Sequence, residues 1–165
     1  MGCKNKTCTI SGLRPHKLPK NLDIEKLRRI LYFEVQQLVY LGYDTFITGA
    51  AMGVDLWGAY AVLEINKIID KKIKLISYQP YPGQAIKFPS DWKSLYDFIL
   101  KKSDSVLCLS EKYTSTCMIE RNKKMIELSS RLLAVHDGSP GGTLQTINYA
   151  TSHGLIIKTV QPPTM

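Results

Sequence analysis

The sequence predicts an α/β protein built on a mostly parallel sheet of about six strands, covered by helices on both faces. Short apolar runs of strand length alternate with longer segments whose apolar residues recur at helical spacing. Glycines stand at the passages from one kind of segment to the other, in SG at 11–12, TGAAMG at 48–53 and SPGGT at 139–143. At 165 residues the chain suits one domain with its own core, spanning 1–165 with the ordered part at about 7–160.

Taken in order, Thr7 to Ser11 is a short strand closed by Gly12. Apolar residues at 24, 27, 30, 31, 35 and 38 define one face of a helix over Ile24 to Leu41, with Asp23 as N-cap and Gly42 as its stop. Thr45 to Thr48 is a strand, Val54 to Glu64 a helix, and Ile73 to Tyr78 a strand followed by the proline-rich loop QPYPGQAIKFPS. Ser90 caps a helix that carries Trp92, Leu95, Tyr96 and Ile99 on one side. Ser105 to Leu109 is the next strand and Thr116 to Leu128 the next helix. The last set is a strand over Arg131 to Val135, a helix over Thr143 to Ser152 with Leu144, Ile147 and Ala150 at helical spacing, and a strand over Leu155 to Val160. Only the first six residues and the closing QPPTM read as loose.

Hydrophobic residues at 44% and charged residues at 22% fit a soluble globular protein and exclude a disordered or fibrous one. No apolar stretch approaches the roughly eighteen residues of a membrane span, and MGCKNKTCTISG has no signal-peptide core. The expectation is a cytoplasmic protein without a membrane partner. Met1-Gly2 begins an N-myristoylation pattern, but Lys6 stands where Ser or Thr is required. Cys3, Cys8, Cys108 and Cys117 form no CxxC pair, so reduced thiols and no metal are expected. Lys plus Arg exceed Asp plus Glu by 22 to 14, a net charge of +8, which favours polyanionic or phosphorylated partners. Much of the excess lies in short clusters, among them Lys71-Lys72, Lys101-Lys102 and Lys123-Lys124, that equally serve as solvated helix faces.

In a parallel sheet the ligand lies at the carboxyl ends of the strands, and three such loops have suitable chemistry. SGLRPHKLP offers Gly12 for close backbone approach and Arg14 as a fork for phosphate or carboxylate. TGAAMGVD brackets a strand-to-helix turn with Gly49 and Gly53 and places Asp55 in the first helical turn, where it either accepts from a sugar hydroxyl or complements the helix dipole. DGSPGGT, Asp137 to Thr143, leaves backbone N–H groups at a helix start where an anion fits. Neither GxGxxG nor GxxxxGK[ST] occurs. His16, His136 and His153 are scattered, with His136 read as structural, and no catalytic residue is assigned.

ISGLRP, FITGAAMGVDLWGAYAVL, YPGQ, IERNKKM and AVHDGSPGGT, in this order over residues 8–160, resemble the YpsA-like proteins of the SLOG superfamily. The resemblance implies a Rossmann-like three-layer sandwich with a pocket for a nucleotide derivative and a sensor or regulatory role. Leu13 replaces a histidine of the family's first loop, and Phe88 stands where relatives carry a tryptophan. The LOG branch, which splits nucleoside monophosphates, carries PGGxGTxxE; here Thr146 follows Thr143 without the catalytic glutamate. The DprA branch, which binds single-stranded DNA, is similar in TGAAMGVD and ERNKKMIELS and would give Arg121, Lys123 and Lys124 a role toward phosphates. The leading expectation is a phosphate-bearing nucleotide or ADP-ribose-like ligand across the three loops, its phosphate on the N–H groups of Gly141, Gly142 and Thr143. Arg14 and Arg121 would neutralise it, Asp55 or Asp137 would orient a sugar hydroxyl, and Asn122 would contact base or sugar. The alternatives are single-stranded DNA binding and a phosphoribohydrolase with Asp137 or Asp55 as acid or base. No certain cofactor is implied, and a homo-oligomer stays open.

Overall fold

Alternate side chains of the first strand, β1 (Thr7–Gly12), serve two different cores. Cys8 and Ile10 enter the larger apolar cluster, while the Thr9 hydroxyl turns the other way, 2.8 Å from Ser129 Oγ and 3.2 Å from the Met125 carbonyl. The same two-sided burial recurs in the neighbouring strands over 45–48 and 131–135, as a parallel sheet between two helical layers requires. The computed structural model describes residues 3–165, so the Met1-Gly2 reading lies outside the described residues.

After β1 come α1 (Ile24–Tyr40), β2 (Thr45–Thr48), α2 (Val54–Ile68), β3 (Lys74–Gln79) and α3 (Ser90–Lys102). They are followed by β4 (Ser105–Cys108), α4 (Cys117–Glu127), β5 (Arg131–Val135), α5 (Gly142–Ser152) and β6 (Ile156–Val160). The strands are ordered β4-β3-β2-β1-β5-β6, and every neighbouring pair is parallel. Helices α1, α2 and α3 cover one face through Leu27, Leu31, Leu56, Val62 and Ile99, and α4 and α5 the other through Met125, Ile126 and Ala150. The fold is a Rossmann-like α/β layered structure.

The capping chemistry of α1 is as expected: Asp23 Oδ1 accepts from Lys26 N–H at 3.0 Å, and Gly42 takes a φ of 99° just past the end. α2 continues past Glu64 to Ile68 because buried Ile65 prolongs its apolar stripe. Asn66 on that added turn then accepts from Ile73 N–H at 3.0 Å, fixing the lead into β3. Ser90 is the first residue inside α3, and Pro89 occupies the N-cap. At the β4 edge Ser105, Val106 and Cys108 are exposed.

The closing QPPTM is not loose. Asp23 N–H donates to the Pro163 carbonyl at 2.9 Å, Met165 N–H donates to the Asn21 carbonyl at 2.9 Å, and Leu22 bridges Thr164. These backbone bonds tie the C-terminus to the start of α1, a pairing that composition does not reveal.

From β1 the chain works outward through β2, β3 and β4, then crosses to β5 and β6 on the other side. Strand order therefore reverses between β1 and β5, and the loops after those two strands part around a crevice at the carboxyl edge.

Candidate functional site

That crevice holds a cavity of about 220 Å³, lined from one side by Ser11 to Arg14 with His16 and Lys17, and from the other by Ser139 to Thr143. Ala51, Asp55, Arg121, Asn122 and His136 complete it.

One wall is the N-terminus of α5. Gln145 N–H closes the first helical bond on the Gly141 carbonyl at 3.1 Å, so the N–H groups of Gly142, Thr143 and Leu144 precede any intrahelical acceptor. Gly141 at the N-cap has no capping side chain, and the first turn contains no acid. A Cβ placed on Gly142 would meet no atom within 4 Å, so the turn opens directly onto the cavity. Across it, Lys17 Nζ lies 3.4 Å from the Pro140 carbonyl. Arg14 spends one guanidinium nitrogen on the Met118 sulfur at 2.9 Å, a weak acceptor. The site thus presents unpaired N–H groups, the positive end of a helix dipole and two cations to the same space.

His136, at the end of β5, shapes this loop. Its Nδ1 accepts from Gly138 N–H at 3.2 Å and its Nε2–H donates to the Ser139 carbonyl at 2.8 Å, an arrangement that puts the ring proton on Nε2. Asp137 is exposed; its Oδ1 accepts from Ser139 N–H at 2.9 Å, and Ser139 beside it holds the carboxyl below its usual range.

The N-terminus of α2 is built differently. Gly53 takes a φ of 93°, and a Cβ there would lie 2.8 Å from the Leu13 carbonyl, so only glycine suits the turn beneath the β1 loop. Asp55 supplies this helix with its own negative charge, Oδ2 accepting from Ala51 N–H at 3.4 Å. Arg121 faces it: a Cβ on Gly49 would lie 2.7 Å from Arg121 Cζ and 2.8 Å from Asp55 Oδ2. Arg121 is 1% exposed, and its Nη1 donates to the carbonyls of Gly49 at 2.6 Å and Tyr78 at 2.8 Å, joining the ends of β2 and β3. Burial pushes the Asp55 carboxyl up to about 6 against the pull of Arg121, and burial brings Arg121 down to about 10 against the pull of Asp55. Desolvation outweighs the mutual attraction in both directions.

Stability should register this. Folded Asp55 holds its proton more tightly than the unfolded chain, so its favourable contribution is complete below pH 3.8 and is lost as pH rises through about 6. The loss amounts to about 3 kcal/mol in order of magnitude. An Asp55→Asn variant is expected to lose that slope, and urea unfolding at intervals between pH 4 and 7 measures it.

Of the residues singled out from sequence, Gly12, Arg14, Asp55, Arg121, Asn122, Gly141, Gly142 and Thr143 line the cavity. Gly49 lies behind Arg121, Gly53 under the β1 loop, and Asp137 outside the lining. Arg121 belongs to no basic surface, unlike exposed Lys123 and Lys124. His16, Lys17 and Ser139 also line the cavity; the sequence places them in two of the ligand loops but gives none of them a role of its own. Pro15 opens the short 3₁₀ turn Pro15–Lys17, and Lys17 at the end of that turn reaches the Pro140 carbonyl.

The YpsA family model, described as the YspA SLOG family, matches residues 8–162. A UPF0398 protein of Bacillus cereus strain B4264 is 29% identical over 158 residues, 92% of this chain and 85% of that protein. A UPF0398 protein of Bacillus thuringiensis strain Al Hakam is 30% identical over the same shares. Among solved structures, DNA processing protein A (DprA) from Streptococcus pneumoniae is similar with a TM-score of 0.63 at 17% identity, over 93% of this chain. The chain spans half, 50%, of that protein's length. DprA from Helicobacter pylori, described in a single-stranded DNA binding mode, gives a TM-score of 0.63 at 14% identity, over 92% of this chain and 64% of that one. At these identities the likeness is one of fold.

Proposed function

The chain belongs to the YpsA SLOG family, and from its site we propose that it binds a small phosphate-bearing nucleotide derivative, a mononucleotide or an ADP-ribose-like molecule, as a sensor or regulatory module. The observation that carries this reading is the contrast between two helix N-termini at one sheet edge. α2 holds its own carboxylate, whereas α5 has no cap, no acid in its first turn and open space at Gly142, with Arg14 and Lys17 lining the same cavity. Such a pocket favours a compact anion with several acceptor oxygens. The phosphate rests on the N–H groups of Gly142, Thr143 and Leu144 and is neutralised by Arg14 and Lys17, with Arg121 adding charge from beneath. Asp55 and Asn122, on the wall between, meet the sugar. Asp55 is the one carboxylate among the described lining residues, and Thr146 spends its hydroxyl on the Gly142 carbonyl at 3.0 Å. Binding is therefore favoured over glycosidic hydrolysis.

A second reading, single-stranded DNA, is favoured by one cluster. Lys123 Nζ lies 5.3 Å from the centre of the Tyr149 ring, both lining a small recess that Gly142 also lines, and the His153 ring at the far end of α5 is 4.1 Å from Tyr149. Basic and aromatic groups so interleaved suit a phosphate backbone and stacked bases.

A thermal-shift comparison of AMP, ADP-ribose, adenosine and oligodeoxythymidylate tests both. A bound nucleotide at a hundredfold excess over Kd stabilises the fold by about 2.7 kcal/mol. AMP or ADP-ribose is expected to raise the midpoint and adenosine to leave it unmoved. Equal shifts by AMP and adenosine would sink the phosphate assignment, and a shift by the oligonucleotide alone would put the second reading in its place.

A further inference from the structure

Next to the cavity is a separate small recess of about 20 Å³ lined by Arg14, Ala51, Met52, Gln84, Phe88 and Met118. It shares Arg14 and Ala51 with the main cavity. Gln84, from the YPGQ segment, is 7% exposed. Its Nε2 donates to the Gly49 carbonyl at 2.9 Å, which fixes the amide's orientation, because the flipped form would set two oxygens against each other. Arg121 Nη1 donates to the same carbonyl at 2.6 Å. The other end of the amide, Gln84 Oε1, is buried and has no hydrogen-bond donor from the protein. A buried acceptor in that condition is costly, and a donor brought by a ligand removes the cost.

We propose that Gln84 Oε1 reads an exocyclic amino group on the base of the bound nucleotide, making this recess the base-specificity subsite. The inference rests on the nucleotide reading above. The recess admits one small group rather than a ring. Arg14 in its wall and Arg121 on the shared carbonyl repel a cationic donor, so the group is uncharged. Phe88, Met52 and Met118 give the recess apolar walls around that one group, and the unbranched thioethers adapt to its shape. Those apolar walls suit a base edge better than a sugar hydroxyl.

The test is calorimetric titration of the whole chain with AMP against IMP, CMP against UMP, and AMP against its 2′-deoxy form. The amino-bearing base is expected to bind at least about tenfold more tightly in each base pair, while the deoxy form matches AMP. Gln84→Met keeps length and loses the acceptor; Arg121 still serves the Gly49 carbonyl, and the variant is expected to bind AMP and IMP alike. Equal binding of AMP and IMP by the native chain, as when water meets Oε1, overturns this inference and leaves the nucleotide reading standing. A preference that survives in Gln84→Met overturns it as well, and so does a loss confined to the deoxy form, which would assign the contact to the sugar. Binding of none of these nucleotides overturns both. If Gln84→Met does not fold, the ratios measured on the native chain decide.

Discussion

Arg121→Met is expected to destabilise the protein by about 3–5 kcal/mol, the cost of removing one partner from a buried charged arrangement. Methionine keeps the apolar stem but stops short of the guanidinium, so the space it vacates adds to the loss, though the larger part lies elsewhere. That part comes from four groups that the guanidinium serves at once, one of them Asn122 Oδ1, which accepts from Nε at 2.9 Å. The Tyr78 carbonyl loses its 2.8 Å donor, the Gly49 carbonyl keeps only Gln84, and the Asp55 carboxylate stays buried without the opposing charge. For a domain of this size the midpoint of thermal unfolding falls by about 2–4 °C per kcal/mol. A second change, Asp55→Asn, is expected to return part of the loss, because it removes the carboxylate that the first change strands. Urea unfolding of the single and double variants measures both effects. A loss below about 1 kcal/mol for Arg121→Met would mean that water replaces the guanidinium at the strand ends.

Arg121 also marks the limit of what the sequence discloses. In ERNKKM its neighbours Lys123 and Lys124 are exposed, and the cluster suggests one basic surface. Cys117, Arg121 and Met125 fall four residues apart, however, and all three are buried on the inner stripe of α4. The spacing was legible; the carbonyls of Gly49 and Tyr78 that make an arginine tolerable there were not, because they arrive from β2 and β3. Periodicity sufficed for the strands and helices, since each element buries one face or both against a neighbouring layer. The glycine loops likewise announced the sheet edge where strand order reverses. Asp55 shows the opposite case: its place in a first helical turn was visible, but its burial against Arg121 depends on packing across three strands. Lys17 and the pinned C-terminal segment follow the same rule, being held by backbone carbonyls distant in sequence.

The anion site turns on Gly142. Its backbone is outside the positive-φ region that resists side chains, and a Cβ there meets nothing within 4 Å, so Gly142→Val fits the first turn of α5. Valine and glycine differ little in helix propensity, by a few tenths of a kcal/mol, so the fold is expected to keep its melting temperature within a few degrees. The branched side chain, in contrast, projects into the space above the N–H groups of Gly142, Thr143 and Leu144, where the phosphate is proposed to rest. It shields those donors and excludes the anion from the helix end, and both effects act on binding alone. Calorimetric titration of AMP into the native chain and into Gly142→Val, with melting curves recorded on the same samples, puts this to the test. The expected result is an affinity lower by about 100-fold or more, about 2.7 kcal/mol, in a variant that melts like the native protein; equal affinity in the two would contradict the phosphate site at the start of α5.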